Sequence, residues 1–232
     1  MPDSEPLDPS DLAMQRYYAQ RAKEYEAVFE KPHRQANLAE IKAWLRQQFS
    51  GRTVLEIATG TGYWLPAATA KAKHWLGTDI NPETLAEARS KPLDFDKVAF
   101  MRADAYAPGL VAADTPSPFD AGFAGLWFSH VPKARQREWL LGLHSQLQDG
   151  ARVVLMDNRF VEGDSTPISR KDAEGNGYQL RSLSDGSQHE VLKNFPSEAQ
   201  MRRLLAGIAD EIQWRELDYF WTLSYRVRQE SA

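Results

Sequence analysis

The middle of the chain alternates between two periodicities, and that alternation limits the fold more than any other feature. The spacing predicts strands over 53–57, 74–79, 98–102, 119–126 and 152–156, with helices over 64–71, 81–90 and 133–147 between them. Short β-rich runs that take turns with helices imply a parallel sheet with helices on both faces. Two more helices are expected earlier, over 11–29 and 38–49, with Gly51 ending the second. Asn81-Pro82 reads as the cap and first residue of the 81–90 helix. After Asp157 the alternation stops, and residues 158–177 are polar and irregular. Residues 178–183 and 188–192 then read as a hairpin around Ser184-Asp185-Gly186-Ser187, an Asp-Gly turn expected to want positive φ at both positions. Ser197 is placed to cap a last helix, and 212–227 is long enough for two strands reversing near Asp218.

Composition removes several function classes. The 232 residues include 42% hydrophobic side chains, enough for one full core and no obvious second one. The formal charge of -4 and pI of about 5.8 give no global basic field, so nucleic acid is a poor expected partner. There is no cysteine, which excludes disulfides, thiolate metal sites and a cysteine nucleophile; no metal site is expected. The opening MPDSEPLDPSDL has neither a basic region nor an apolar one, and its first ten residues read as a frayed end. With no apolar run of transmembrane length, the expectation is a cytoplasmic protein without membrane contact.

Chemistry enters at Val54 to Leu65, VLEIATGTGYWL. Gly60 and Gly62 fall between a strand and a helix, at the end of the sheet where ligands bind. A glycine there admits a ligand close to the backbone. A dinucleotide turn wants a third glycine, but Leu65 stands in that place with Trp64 before it. Glu56 would also repel a diphosphate, whereas an acid near the turn suits a cationic ligand.

Glu56-Ile57-Ala58-Thr59-Gly60-Thr61-Gly62 resembles the first motif of the class I S-adenosylmethionine-dependent methyltransferases, an acid-x-x-x-Gly-x-Gly pattern. Ala58-Thr59 departs from the Gly-Cys or Gly-Ala that many members carry. Later landmarks agree in order. Asp79 ends the second strand, where the resemblance implies an acid for the two ribose hydroxyls, a diol suited to two acceptor oxygens. Ile80 would pack on adenine, and Asp104-Ala105 would meet its amino group and ring. Phe119-Asp120-Ala121 matches the start of the family's fourth strand, and Leu126 to Val131, LWFSHV, its catalytic face. Tyr17, Tyr18, Arg21 and Tyr25 resemble a helix that folds over the cofactor.

The resemblance covers about residues 11–157 and the terminal strand pair. It implies a Rossmann-like, seven-stranded, mostly parallel sheet with an antiparallel last strand, an N-terminal helical cap and an inserted hairpin after the fifth strand. Residues 1–232 form one domain on this reading: N-terminal helices (11–50), cofactor-binding half (51–157), inserted hairpin region (158–195), and last helix with terminal strands (196–232). The implied cofactor is S-adenosyl-L-methionine, leaving S-adenosyl-L-homocysteine. Tyr18, Arg21, Glu56, Ala58, Gly60, Gly62, Asp79, Ile80, Asp104 and Ala105 are the expected cofactor contacts.

His130 follows the fourth strand and is the candidate proton acceptor, since histidine takes a proton near neutral pH. The fourth strand lacks an Asn-Pro-Pro-Tyr type motif, which turns the expectation from nucleobases and glutamine to a small-molecule acceptor at N, O or S. The hairpin would roof its pocket. Tyr17, Trp127, Tyr178, Arg181 and Lys193 are the candidate acceptor contacts, with His189 beside them. Arg181 and Lys193 suit a carboxylate or phosphate. The same alternation fits a solvated hairpin, or an edge pairing two copies into a homodimer. Two other classes stay open: a non-catalytic cofactor-binding protein of this fold, and an NAD(P)-dependent oxidoreductase, which the missing glycine disfavours.

Overall fold

The structure is a computed structural model that describes residues 9–107, 109–110 and 117–228. The frayed start expected for the first ten residues lies largely outside that range. Five strands, β1 (Thr53–Glu56), β2 (His74–Asp79), β3 (Val98–Arg102), β4 (Ala121–Gly125) and β5 (Arg152–Asn158), run parallel. Two more, β9 (Ala209–Glu216) and β10 (Phe220–Val227), complete a seven-stranded sheet in the order β3-β2-β1-β4-β5-β10-β9. β10 is antiparallel to both neighbours, β5 and β9, so it alone runs against the rest. The chain winds outward from β1 to β3, then crosses back to start β4 on the other side of β1. The crevice for a ligand opens at this reversal, beyond the carboxyl ends of β1 and β4.

Both faces of the sheet are buried, so its central strands carry continuous apolar runs rather than an alternation. Successive residues of β5 serve opposite cores. Val153 and Leu155 face the side holding Trp139, Leu140 and Leu143 of helix α5 (Gln136–His144) and Met201 and Leu205 of α6 (Glu198–Leu205). Val154 and Met156 face Leu38, Ile41 and Leu45 of α2 (Gln35–Gln48), together with Phe49, Trp75 and Ala88. Helices α3 (Leu65–Ala68) and α4 (Pro82–Arg89) cover that second face. Ser197 closes a full capping box with Gln200 at the start of α6. Among the described residues no helix is long and apolar enough to cross a membrane.

Several boundaries differ from expectation. Helix α1 (Pro9–Arg21) ends eight residues early, and Tyr25–Phe29 forms a separate 3-10 turn. The break lets Phe29 stack on Tyr63, with ring centroids 3.8 Å apart, and brings Glu26 to Thr61. The helix expected over 133–147 starts as a 3-10 turn, Lys133–Arg135, and becomes α-helical only from Gln136. β4 stops at Gly125 because Leu126 takes φ 60 and turns the chain. β5 runs two residues further than its apolar pattern because β10 keeps pairing, down to Phe220 opposite Asn158. Asn81 stands at the N-cap position of α4 but makes no side-chain capping bond.

The insertion after β5 is a small antiparallel sheet of β6 (Arg170–Lys171), β7 (Gly177–Ser182) and β8 (Gln188–Leu192). Its turn has positive φ at Gly186 alone (84°), not at both Asp185 and Gly186. Gly186 N donates to Leu183 O at 3.0 Å, and Leu183 N to Ser187 O at 3.0 Å. The loop is therefore a β-turn closed by a left-handed glycine, one residue longer than a two-residue hairpin. Met14 and Tyr17 of α1 pack on Leu183 and Val191 of the hairpin. Helix and hairpin thus meet over the crevice.

Candidate active site

The β1 turn is the floor of the site. Ala58 has φ 54 and Gly60 φ 59, so two residues in three adopt the left-handed region. For alanine that conformation costs about 1–2 kcal/mol, strain of the kind that gathers at ligand sites. Gly60 N donates to Asp79 Oδ2 at 2.9 Å, and Thr61 Oγ1 donates to Glu26 Oε1 at 2.8 Å. The two glycines are not equivalent. A Cβ on Gly60 would meet no heavy atom within 4 Å. One on Gly62 would lie 2.8 Å from Leu65 Cδ1 and 3.0 Å from Ala88 Cβ. Gly62 serves the packing of the turn on α3 and α4, while Gly60 borders open space.

Glu56 departs from its expected place. It is buried beneath the turn, where its Oε2 accepts from Thr59 Oγ1 and Trp75 Nε1, both at 2.9 Å. Burial pushes its carboxyl up to about 7, against the pull of those two hydrogen bonds. It braces β1 against β2 and is not part of the cavity wall.

A cavity opens above this floor. Ala58, Gly60, Asp79, Ile80, Asp104 and Ala105 line it, and Tyr18 closes it from α1, so seven of the ten expected cofactor contacts meet there. Asp79 Oδ1 accepts from Asn81 N at 2.9 Å, so each of its oxygens holds one backbone N–H and keeps acceptor capacity. Burial raises the Asp79 carboxyl above its usual range, and the N–H groups of Asn81 and Gly60 pull it back. Asp104 Oδ1 accepts from Tyr106 N at 2.9 Å, which fixes the carboxylate at the end of β3. Thr84, Tyr106 and Leu126 also line the cavity. Sequence reading did not single out Thr84 or Tyr106, since nothing local marks a threonine on α4 as facing a ligand.

A second cavity of 340 Å³ lies beside the first, and Tyr18, Tyr25, Leu126 and His130 border both. Its walls also carry Tyr17, Arg21, Gln179, Arg181 and Lys193. Arg21 therefore belongs here and not among the walls of the first cavity. Trp127 remains with the first. Tyr178 reaches neither. It stands on the outer face of β7, with Arg170 3.7 Å over its ring and its hydroxyl 3.2 Å from Asp172 Oδ2. Side chains alternate along a strand, so Tyr178 and Arg181, three residues apart, face opposite ways. Gln179 takes the inward place instead. His189 lies against Tyr17, with ring centroids 5.3 Å apart.

His130 joins roof to floor. Its Nδ1 is 2.6 Å from Leu192 O, which can only accept, so Nδ1 carries the proton. Nε2 is then the acceptor, and the Tyr18 hydroxyl donates to it at 2.9 Å. Burial holds the imidazole well below its usual pKa, and the charges of Lys193 and Arg181 lower it further. It is neutral at pH 7.

Lys193 ties the hairpin to the sheet. Its Nζ donates to Asp157 Oδ1 at 2.7 Å and Ser129 Oγ at 2.6 Å, with the lysine and aspartate 4% and 0% exposed. Burial pushes the Asp157 carboxyl up, but Lys193 and its other donors outweigh that and leave it below the usual range. At the far rim, Asp164 is held by Lys31, His33 and Arg34, a cluster that sequence reading missed because 130 residues separate Arg34 from Asp164.

Comparison with known proteins agrees with this geometry. A family model described as a methyltransferase domain matches residues 54–150. No curated protein matches the chain. Among solved structures, DhpI in complex with SAM and HEP is similar, with a TM-score of 0.74 and 26% identity over 95% of this chain and 100% of that one. DhpI in complex with SAH gives 0.73 and 26%, over 95% and 98%. The 1,6-didemethyltoxoflavin-N1-methyltransferase of Burkholderia thailandensis shares the fold at 14% identity, with a TM-score of 0.61 over 98% and 94%. Residues 54–150 match a methyltransferase domain, and over nearly its whole length the chain is similar to proteins solved with S-adenosylmethionine or S-adenosylhomocysteine bound.

Proposed function

We propose that this enzyme transfers a methyl group from S-adenosylmethionine to a small-molecule acceptor held in the second cavity. The observation that carries the reading is the shared wall: Tyr18, Tyr25, Leu126 and His130 border both cavities, so a donor in one faces an acceptor in the other. The first cavity suits the cofactor on its own chemistry. Gly60 leaves open space at the turn, Asp79 keeps acceptor capacity for a diol, and Asp104 stands at the far end beside Ala105. Ala58 and Gly60 would hold the amino-acid end, Asp79 the ribose, and Ile80, Asp104 and Ala105 the adenine.

S-adenosylmethionine supplies, when bound, an electrophilic methyl on a sulfonium with a neutral leaving group. The protein's part is alignment and exclusion of water. Helix α1 and the β7–β8 hairpin supply the exclusion, since Met14, Tyr17, Leu183 and Val191 close over the crevice. His130 contributes by position. Its Nε2 is engaged by the Tyr18 hydroxyl, so it fixes that hydroxyl at the boundary of the two cavities.

The test is release of S-adenosylhomocysteine on incubation with S-adenosylmethionine and panels of small molecules, bulk nucleic acid and proteins. Turnover with members of the first panel supports the reading. Turnover confined to nucleic acid or protein refutes it.

A further inference from the structure

The second cavity carries more positive charge than its acids neutralise. Arg21, Lys31, Arg34, Arg181 and Lys193 line it, with Asp164 as the one carboxylate among the described residues of its walls. Asp164 is already shared by Lys31, His33 and Arg34. Lys193 is matched by Asp157 behind the wall. Arg21 and Arg181 remain, and among the described residues every hydrogen-bond partner of either is neutral. Arg21 Nη1 donates to Tyr17 Oη at 2.8 Å, and its guanidinium lies 5.5 and 5.2 Å from the ring centroids of Tyr17 and Tyr25. Arg181 Nε and Nη2 both donate to Gln179 Oε1, at 3.2 and 2.7 Å, and Nη1 to Tyr18 Oη at 3.4 Å.

Two guanidiniums in a half-closed chamber, with no charged hydrogen-bond partner among the described residues, are costly unless a ligand brings a counter-charge. The chain also spends side chains on aiming them. Gln179, Tyr18 and Tyr17 hold Arg181 with neutral groups alone and leave N–H capacity on its guanidinium for an oxyanion. The Tyr17 hydroxyl and the rings of Tyr17 and Tyr25 fix Arg21 in the wall of the same cavity. Arg181 stands next to Tyr18, which bonds His130 at the boundary with the first cavity, and Arg21 lines the same second cavity.

We propose that the acceptor is an oxyanion-bearing small molecule, a carboxylate or a phosphate-type group, seated on Arg181 with Arg21 as the second donor. The proposal rests on the reading of the second cavity as the acceptor chamber. An anionic acceptor brings its own electron pair or its own anchor, which agrees with a His130 already engaged by Tyr18.

The experiment uses the full chain labelled with 15N-arginine, free and saturated with S-adenosylhomocysteine. Inorganic phosphate and acetate are titrated separately, and the arginine Nε–Hε resonances are followed. A saturable shift of Arg21 and Arg181 is expected with at least one anion, and the anion that gives it names the class. Arg181→Gln is expected to weaken that binding at least tenfold, with Arg181→Lys intermediate. No saturable shift with either anion, a shift confined to Arg137 and Arg203 of the separate basic cleft near α6, or unchanged affinity in Arg181→Gln overturns the proposal. The wild-type footprint needs no variant to fold. Failure of the cofactor reading is seen separately, as absence of S-adenosylhomocysteine binding while the anion still binds.

Discussion

The Tyr18 hydroxyl lies 2.9 Å from His130 Nε2, and that contact spans 112 residues of chain. It connects the helix over the crevice to the strand end beneath it. Because Nδ1 is committed to Leu192 O, the tautomer is fixed and Tyr18 is the donor. Burial keeps the ring neutral.

The first prediction follows from that tautomer. Nitrogen chemical shifts of His130 are expected to show a protonated Nδ1 and a bare Nε2 throughout pH 6 to 8, as about one unit either side of neutrality. The folded pKa lies below the unfolded value of about 6.5, so the folded state binds the proton less readily. The stability His130 contributes is present above about pH 6.5 and is lost as pH falls below it. Titration of His130 near 6.5 in the folded protein contradicts this.

Glu56 gives the opposite sign. Its carboxyl is raised to about 7 by burial, so the folded state holds a proton that the unfolded state releases near 4.5. Its contribution is present at low pH and lost as pH rises through about 7. Glu56→Gln removes that dependence while keeping shape and one acceptor. Urea unfolding is expected to show Glu56→Gln gaining on wild type by about 3 kcal/mol between pH 4.5 and 8. A difference that does not change with pH counts against the buried, proton-holding carboxyl.

Gly60 and Gly62 separate binding from packing. Gly62→Ala drives a Cβ into Leu65 and Ala88 at φ 75, and is expected to cost about 2–4 kcal/mol of stability. Gly60→Ala meets no atom, so its cost is only the left-handed backbone, about 1–2 kcal/mol. It is expected to lose about tenfold in S-adenosylhomocysteine affinity, about 1.4 kcal/mol. Equal effects of the two on both quantities would show that the glycines share one role.

Lys193 and Asp157 predict a stability cycle. Lys193→Met leaves Asp157 charged and 0% exposed, at an expected cost of about 3–5 kcal/mol. Adding Asp157→Asn should restore at least half of that loss, because the pair acts as a unit. Additive losses in the double variant contradict the coupling.

The sheet was legible because strand and helix differ in period, and 53–156 repeats the exchange between them. That Gly60, Asp79 and Asp104 would line one cavity was legible because each follows a strand, and strand ends converge in this topology. Three things were not. Glu56 reads as a ligand contact in a linear motif, but only the position of Trp75 on β2 shows that it is braced beneath the turn. Tyr178 and Arg181 read together as polar hairpin residues, yet the pleat puts them on opposite faces. Gln179, Arg34 and Asp164 draw their meaning from partners that the sequence does not place beside them.

The central claim is that the cavity over Gly60 and Asp79 holds S-adenosylmethionine beside an acceptor chamber. A calorimetric titration of S-adenosylhomocysteine into wild type and Asp79→Asn tests it most directly. Asparagine keeps the shape and can still accept one of the two backbone N–H bonds, but it loses the carboxylate. The account predicts saturable one-to-one binding to wild type, weakened at least tenfold in Asp79→Asn. Absence of binding to wild type, or equal affinity in the variant, would contradict it.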